Sequence, residues 1–140
     1  MTDYILRLVI AGIVGLIVGI STTDARNARM FAITCIGAAL ITITSTEFYK
    51  VFAGPWFSDP GRLSAQVVSA LGFIGTGLIW ISDDKRIMGL SVAGTLWLTA
   101  IMGILIGAGL RQVTIAAVFI AVIIFWAVDL IIKRGILKRD

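Results

Sequence analysis

The chain has 140 residues, 59% of them hydrophobic and 14% charged, with a mean hydropathy of +1.02 and a formal net charge of +4. A soluble domain keeps about a quarter of its residues charged, so this composition excludes an ordinary water-soluble globule and leaves lipid as the solvent for the apolar surplus. Histidine is absent and Cys35 is the one cysteine, which excludes a His/Cys zinc site, an intramolecular disulfide and the usual pH switch.

Charges cluster between long neutral runs, and each run reaches or approaches the about 20 apolar residues that cross a core of about 30 Å. Five runs predict helices over 4–21, 30–48, 62–81, 87–108 and 112–132. The expected fold is an all-α, polytopic bundle of five transmembrane helices, one integral domain over 1–140 with no soluble domain.

The first helix carries Gly12, Gly15 and Gly19. It lacks a short basic start and an Ala-x-Ala exit, so it is expected to be retained rather than cleaved. The second run contains Cys35, expected as a small packing residue. The connection 49–61 is the longest. Its Trp56 and Phe57, with Tyr4, Tyr49 and Trp80, suit aromatic interface belts.

The densest signal runs from Asp59 to Gly77. Asp59 before Pro60 is a helix-start signature. Ala65, Ser69, Gly72 and Thr76 then recur at spacings of four, three and four, a narrow small-residue face against which another helix can pack. Arg62 and Gln66 stand one turn apart and are costly in lipid, so with Asp59 and Ser69 they are candidates for a polar cleft. The plainer alternative is that Arg62 reaches the interface and Gln66 bonds a neighbouring helix.

Asp83, Asp84, Lys85 and Arg86 make a compact charged loop. Two adjacent acids could touch a magnesium ion, but the neighbouring cations compete and a solvated turn is expected. In the fourth helix Thr95, Thr99, Gly103 and Gly107 recur every four residues. These stripes predict close contact among helices one, three and four, or a dimer, with Gly15, Gly19, Gly72, Gly75, Gly77, Gly103 and Gly107 as packing residues. In the fifth helix Asp129 can pair with Lys133.

No ionisable group falls at a predicted bilayer centre, which argues against a proton-driven pump. No nucleophile–base pair, phosphate-binding glycine loop or paired carboxylates are found, so neither catalysis nor a cofactor is expected. Arg26, Arg29, Lys85, Arg86, Lys133, Arg134, Lys138 and Arg139 fall on one side of the predicted bundle, and Arg7, Lys50, Arg62 and Arg111 on the other. The richer side is expected to be cytoplasmic, with the N-terminus outside and the C-terminus inside. The positive balance thus reads as topology rather than nucleic-acid binding.

The stretch Asp59, Pro60, Arg62, Ala65 to Ser69, Gly72, Phe73, Gly75 and Gly77 closely resembles the signature of the MgtC/SapB family of bacterial inner-membrane proteins. A second block is similar too: Gly89-Leu90-Ser91, Leu96 to Ala100, Gly103 and Gly107-Ala108-Gly109. Upstream, Arg29 precedes Cys35 to Leu40 at the family's spacing. The likeness covers about residues 12–125. Two departures stand out. Where the family usually carries Gly-Leu-Glu-Arg-Glu, this chain reads Gly19-Ile20-Ser21-Thr22-Thr23, and many members carry a soluble cytoplasmic domain after the fifth helix.

The resemblance implies a five-helix bundle in the plasma membrane. It also implies a link to growth under low magnesium, survival inside host cells and modulation of membrane machinery such as the ATP synthase. Two readings stay open: a non-enzymatic modulator acting through its small-residue faces, and a transporter or channel for magnesium or another small solute. A structural subunit is a third. The expected partners are the lipid bilayer and either a second copy of the chain or another membrane complex.

Overall fold

A computed structural model describes residues 2–22, 25–52, 59, 61–109 and 111–133. Among them stand five helices: α1 (Thr2–Thr22), α2 (Ala25–Phe52), α3 (Arg62–Gly77), α4 (Leu90–Ala108) and α5 (Arg111–Lys133). Between α3 and α4 lies a hairpin of β1 (Trp80–Ile81) and β2 (Ile87–Met88). Trp56, Phe57, Pro60 and the side chains of Arg26, Arg111, Asp129 and Lys133 lie outside the described residues.

The predicted all-α membrane bundle is the observed architecture. Three helical segments, Thr2–Thr22, Ala28–Val51 and Leu90–Ala108, are long and apolar enough to cross a membrane. Helix α3 has 16 residues and rises about 24 Å, short of a hydrocarbon core of about 30 Å. The apolar part of α5 among the described residues, Gln112–Val128, is also shorter than those three.

Apolar side chains cover the outside as well as the inside. Ile5, Ile13, Ile17 and Ile20 of α1, and Ile115, Phe119, Ile120 and Ile124 of α5, are all exposed. Leaving such area in water costs about 25 cal/mol per Å². Hydrocarbon removes that cost, so the outer surface of the bundle is its lipid face.

The centre of the bundle is α2. Ala28, Ala32, Cys35, Ala39 and Thr42 recur at spacings of four and three and are all buried. On one side of this strip lies α1: a methyl group at Gly15 would stand 2.7 Å from Ala32 Cα, and one at Gly19 would stand 2.6 Å from Ala28 Cα. Helix α4 lies on another side. A methyl at Gly103 would overlap the Cys35 carbonyl oxygen, and one at Gly107 would come within 2.5 Å of the Ala39 carbonyl oxygen. Lipid supplies no hydrophobic drive between helices, so close van der Waals approach of this kind holds them together.

Helix α4 does contact α1 and α3 as expected, but the glycines of α1 and α4 that approach a neighbouring backbone most closely both meet α2. The reason is that α2 has its own small-residue strip, built of Ala, Cys and Thr rather than glycine. Around these contacts, Val14, Val18, Phe31, Leu96, Ala100 and Ile106 complete the core.

The region 78–89 departs from the sequence expectation of helix to residue 81 and again from 87. Instead, Trp80 pairs with Met88 and Ile81 with Ile87. Asp83 to Lys85 form a three-residue loop closed by Ser82 N–H donating to the Arg86 carbonyl at 2.9 Å. Lys85 takes a left-handed conformation (φ 60°), which is how such loops match the strand twist. Gly89 ends the hairpin at φ +82°, where a Cβ would collide with the Leu78 carbonyl oxygen. Only glycine fits that position without strain.

Candidate functional site

Helix α3 carries the densest motif, and its two faces do different things. Ser64, Val67, Leu71 and Gly75 are buried and fall at spacings of three and four, the inward stripe of an amphipathic helix. Ser64 reaches α2: its Oγ lies 3.1 Å from Thr42 Oγ1. Thr42 already donates to the Ala38 carbonyl at 2.8 Å. A hydroxyl has one proton to give, so Ser64 is the donor in that pair.

The opposite face, Ala65, Ser69, Gly72 and Thr76, is exposed. Among the described residues, and apart from the adjoining backbone of α3 itself, no atom lies within 4 Å of a Cβ built on Gly72 or on Gly77, whereas one on Gly75 would make an ordinary 3.7 Å contact with Ala93. Beside this strip Phe73 is 81% exposed. The small-residue face predicted as a packing surface is thus turned away from the bundle, while Gly15, Gly19, Gly103 and Gly107 are consumed inside it.

Of the motif's polar residues, Asp59 lies in the turn before α3, while Arg62, Gln66 and Ser69 are exposed on the helix. Asp59 Oδ1 accepts from Gly61 N–H at 2.8 Å, and the Asp59 carbonyl accepts from Arg62 N–H at 3.2 Å. Asp59 thereby orders the turn that starts α3, although the N-cap position itself is Gly61. Gln66 lines a groove of about 400 Å³ between α2 and α3 with Leu40, Ile41, Thr44, Leu63 and Val67. Asp59, Arg62 and Ser69 are not part of that lining. No group of three or more His, Cys, Asp or Glu able to hold a metal ion occurs among the described residues.

A second polar centre was not singled out from the sequence. Tyr4 donates to Glu47 at 2.5 Å, and Lys50 donates to Glu47 at 2.7 Å and to the Tyr4 hydroxyl at 3.3 Å. One turn along α1, Arg7 pairs with Asp3, lies over the Tyr4 ring at 5.6 Å and donates to the Gly107 carbonyl at 3.0 Å. This network ties the start of α1 to the ends of α2 and α4. Its signals were the i,i+4 pair Asp3–Arg7 and the i,i+3 pair Glu47–Lys50.

The two sequence blocks that carry the family resemblance build α3 and α4. The family model for the MgtC family matches residues 8–134. Protein MgtC of Salmonella typhimurium is 33% identical over 123 residues, covering 86% of this chain and 50% of the relative. Protein SapB of Bacillus subtilis is 30% identical over 132 residues, covering 86% of this chain and 54% of the relative. An uncharacterized protein of Haemophilus influenzae is 30% identical over 123 residues, covering 83% and 52%. The chain spans about half the length of the curated relatives it matches. No solved structure matches it. With a family match running from α1 through α5 and relatives at this identity over most of its length, the chain belongs to the MgtC family.

Proposed function

We propose that this chain is a non-enzymatic protein of the plasma membrane that binds another membrane complex, or a second copy of itself, and modulates it under magnesium limitation. The observation that supports this reading most is the outer face of α3. Ala65, Ser69, Gly72 and Thr76 form a small-residue strip with open space above Gly72, the kind of surface on which a second membrane helix gains close contact. The bundle uses its other glycine stripes internally, and this one is left free.

The link to magnesium rests on the family resemblance. A transport reading needs polar residues gathered around a path. Arg62, Gln66 and Ser69 are exposed, and the groove that Gln66 edges between α2 and α3 is otherwise almost wholly apolar, which favours modulation. The proposed topology keeps the N-terminus outside and the loop Asp83–Arg86 in the cytoplasm, on the distribution of basic residues.

The test is complementation of a host that lacks its own family member. The wild-type chain restores growth at limiting magnesium and co-isolates with a membrane complex in mild detergent. Gly72→Leu, which fills the open space, still inserts and melts normally but loses both. Recovery of the wild-type chain only as a free monomer, or full activity of Gly72→Leu, contradicts the proposal.

A further inference from the structure

A groove of about 540 Å³ runs between α1 and α5 under the end of α4, a volume within the about 300–1,000 Å³ of small-molecule sites. Its walls are apolar: Leu6 and Ile10 from α1, Ile106 from α4, and Ile115, Val118 and Phe119 from α5. Its head is charged, formed by Asp3 and Arg7. Ile115 and Phe119 are exposed, so the groove opens sideways to the lipid face.

The head has unused capacity. Arg7 carries five N–H donors and, among the described residues, makes two hydrogen bonds, to Asp3 and to the Gly107 carbonyl. The Asp3 side chain uses one oxygen on Arg7 and is 51% exposed, while Arg7 is 23% exposed. A cation and an anion one helical turn apart, together neutral, complement a headgroup that is itself a phosphate joined to an ammonium. Residues 3 and 7 lie at the start of a membrane-length helix, the depth at which headgroups stand.

We infer that this groove binds one zwitterionic aminophospholipid, its phosphate on Arg7, its ammonium on Asp3 and the upper part of an acyl chain along α5. A helix is a poor occupant. The lining of α5 runs from Thr114 to Val122, about 12 Å, whereas a spanning helix presents about 30 Å. Anionic lipid would satisfy Arg7 and leave Asp3 facing a like charge. This inference is independent of partner binding at α3.

The test uses the full chain purified in mild detergent and mixed with equal amounts of phosphatidylethanolamine, phosphatidylcholine and phosphatidylglycerol, with retention read by native mass spectrometry. One phosphatidylethanolamine per chain is retained, preferred about tenfold over the others, as expected when one charge-assisted contact is gained. Asp3→Asn erases the preference over phosphatidylglycerol while lipid is still retained. Ile115→Trp fills the groove from the lipid side and lowers retention of every class. Both sites are exposed, and an unchanged helical spectrum and melting curve verify their folding. Equal retention of the three lipids means an annular shell only and overturns the proposal, as does an undiminished preference in Asp3→Asn or undiminished retention in Ile115→Trp.

Discussion

The guanidinium of Arg7 and the carbonyl of Gly107, a hundred positions apart in sequence, meet through a 3.0 Å hydrogen bond. The last carbonyls of a helix have no partner inside it, and in a membrane protein an unsatisfied carbonyl is costly. A cation there also suits the negative end of the helix. Gly109, in the left-handed conformation that ends α4 (φ +72°), makes room: a Cβ there would lie 2.5 Å from Arg7 Cζ. Arg7→Met keeps the aliphatic length and is expected to lower stability by about 1–3 kcal/mol. Denaturant titration in detergent micelles checks this, with Arg7→Lys recovering part of the loss.

Two glycine substitutions separate a glycine used inside the bundle from one on its surface. Gly103→Ala forces a methyl into the Cys35 carbonyl, and such overpacking costs about 1–3 kcal/mol. Gly72→Ala meets no other helix within 4 Å among the described residues and is expected to be neutral or to gain up to about 1 kcal/mol of helix propensity. Thermal unfolding followed by circular dichroism distinguishes them. Equal effects at both sites would undercut the assignment of α2 as the hub.

Gly89→Ala tests the hairpin. The residue sits at φ +82° with the Leu78 carbonyl where a Cβ would go, so alanine must shift the chain and is expected to destabilise by more than about 1 kcal/mol. The loss should fall on the β1–β2 region, seen as faster amide exchange at Ser82 and Lys85 than at the core of α4.

The Thr42–Ser64 pair is directional. Ser64→Ala leaves Thr42 still donating to Ala38, and an interhelical hydrogen bond in a membrane protein is worth about 0.6 kcal/mol on average. Thr42→Val instead strands the Ser64 hydroxyl in a buried site, so it should cost more than Ser64→Ala. A double-mutant cycle by micelle denaturation measures the coupling.

The bundle was legible because charge spacing and hydrocarbon thickness are both coarse quantities. Neutral runs of membrane length give helices whatever their neighbours are. Which faces meet was less legible. Glycine periodicity marked α1 and α4 correctly as close-packing helices, yet the strip they pack on is Ala28, Ala32, Cys35, Ala39 and Thr42, which reads as ordinary apolar sequence. On α3, Gly72 and Gly77 carry the same signal as Gly103 but face open space, because spacing identifies a face without saying what it faces. The hairpin was hidden because Trp80, Ile81, Ile87 and Met88 are apolar and strands of two residues leave no period to count. Asp59, Arg62, Gln66 and Ser69 read as one site because they are near in sequence; Asp59 orders the turn before α3, while Arg62, Gln66 and Ser69 are exposed along the helix itself.

The proposed docking of another membrane helix on the outer face of α3 can be probed directly. A photo-crosslinking phenylalanine analogue at Phe73, already a large aromatic and 81% exposed, probes it in native membranes. Phe119 of α5 and Ile13 of α1, exposed on other faces, are the comparison sites. A discrete protein adduct from position 73 with only lipid adducts from 119 and 13 is the predicted result. The same adducts at all three positions, or none but lipid at position 73, would contradict it.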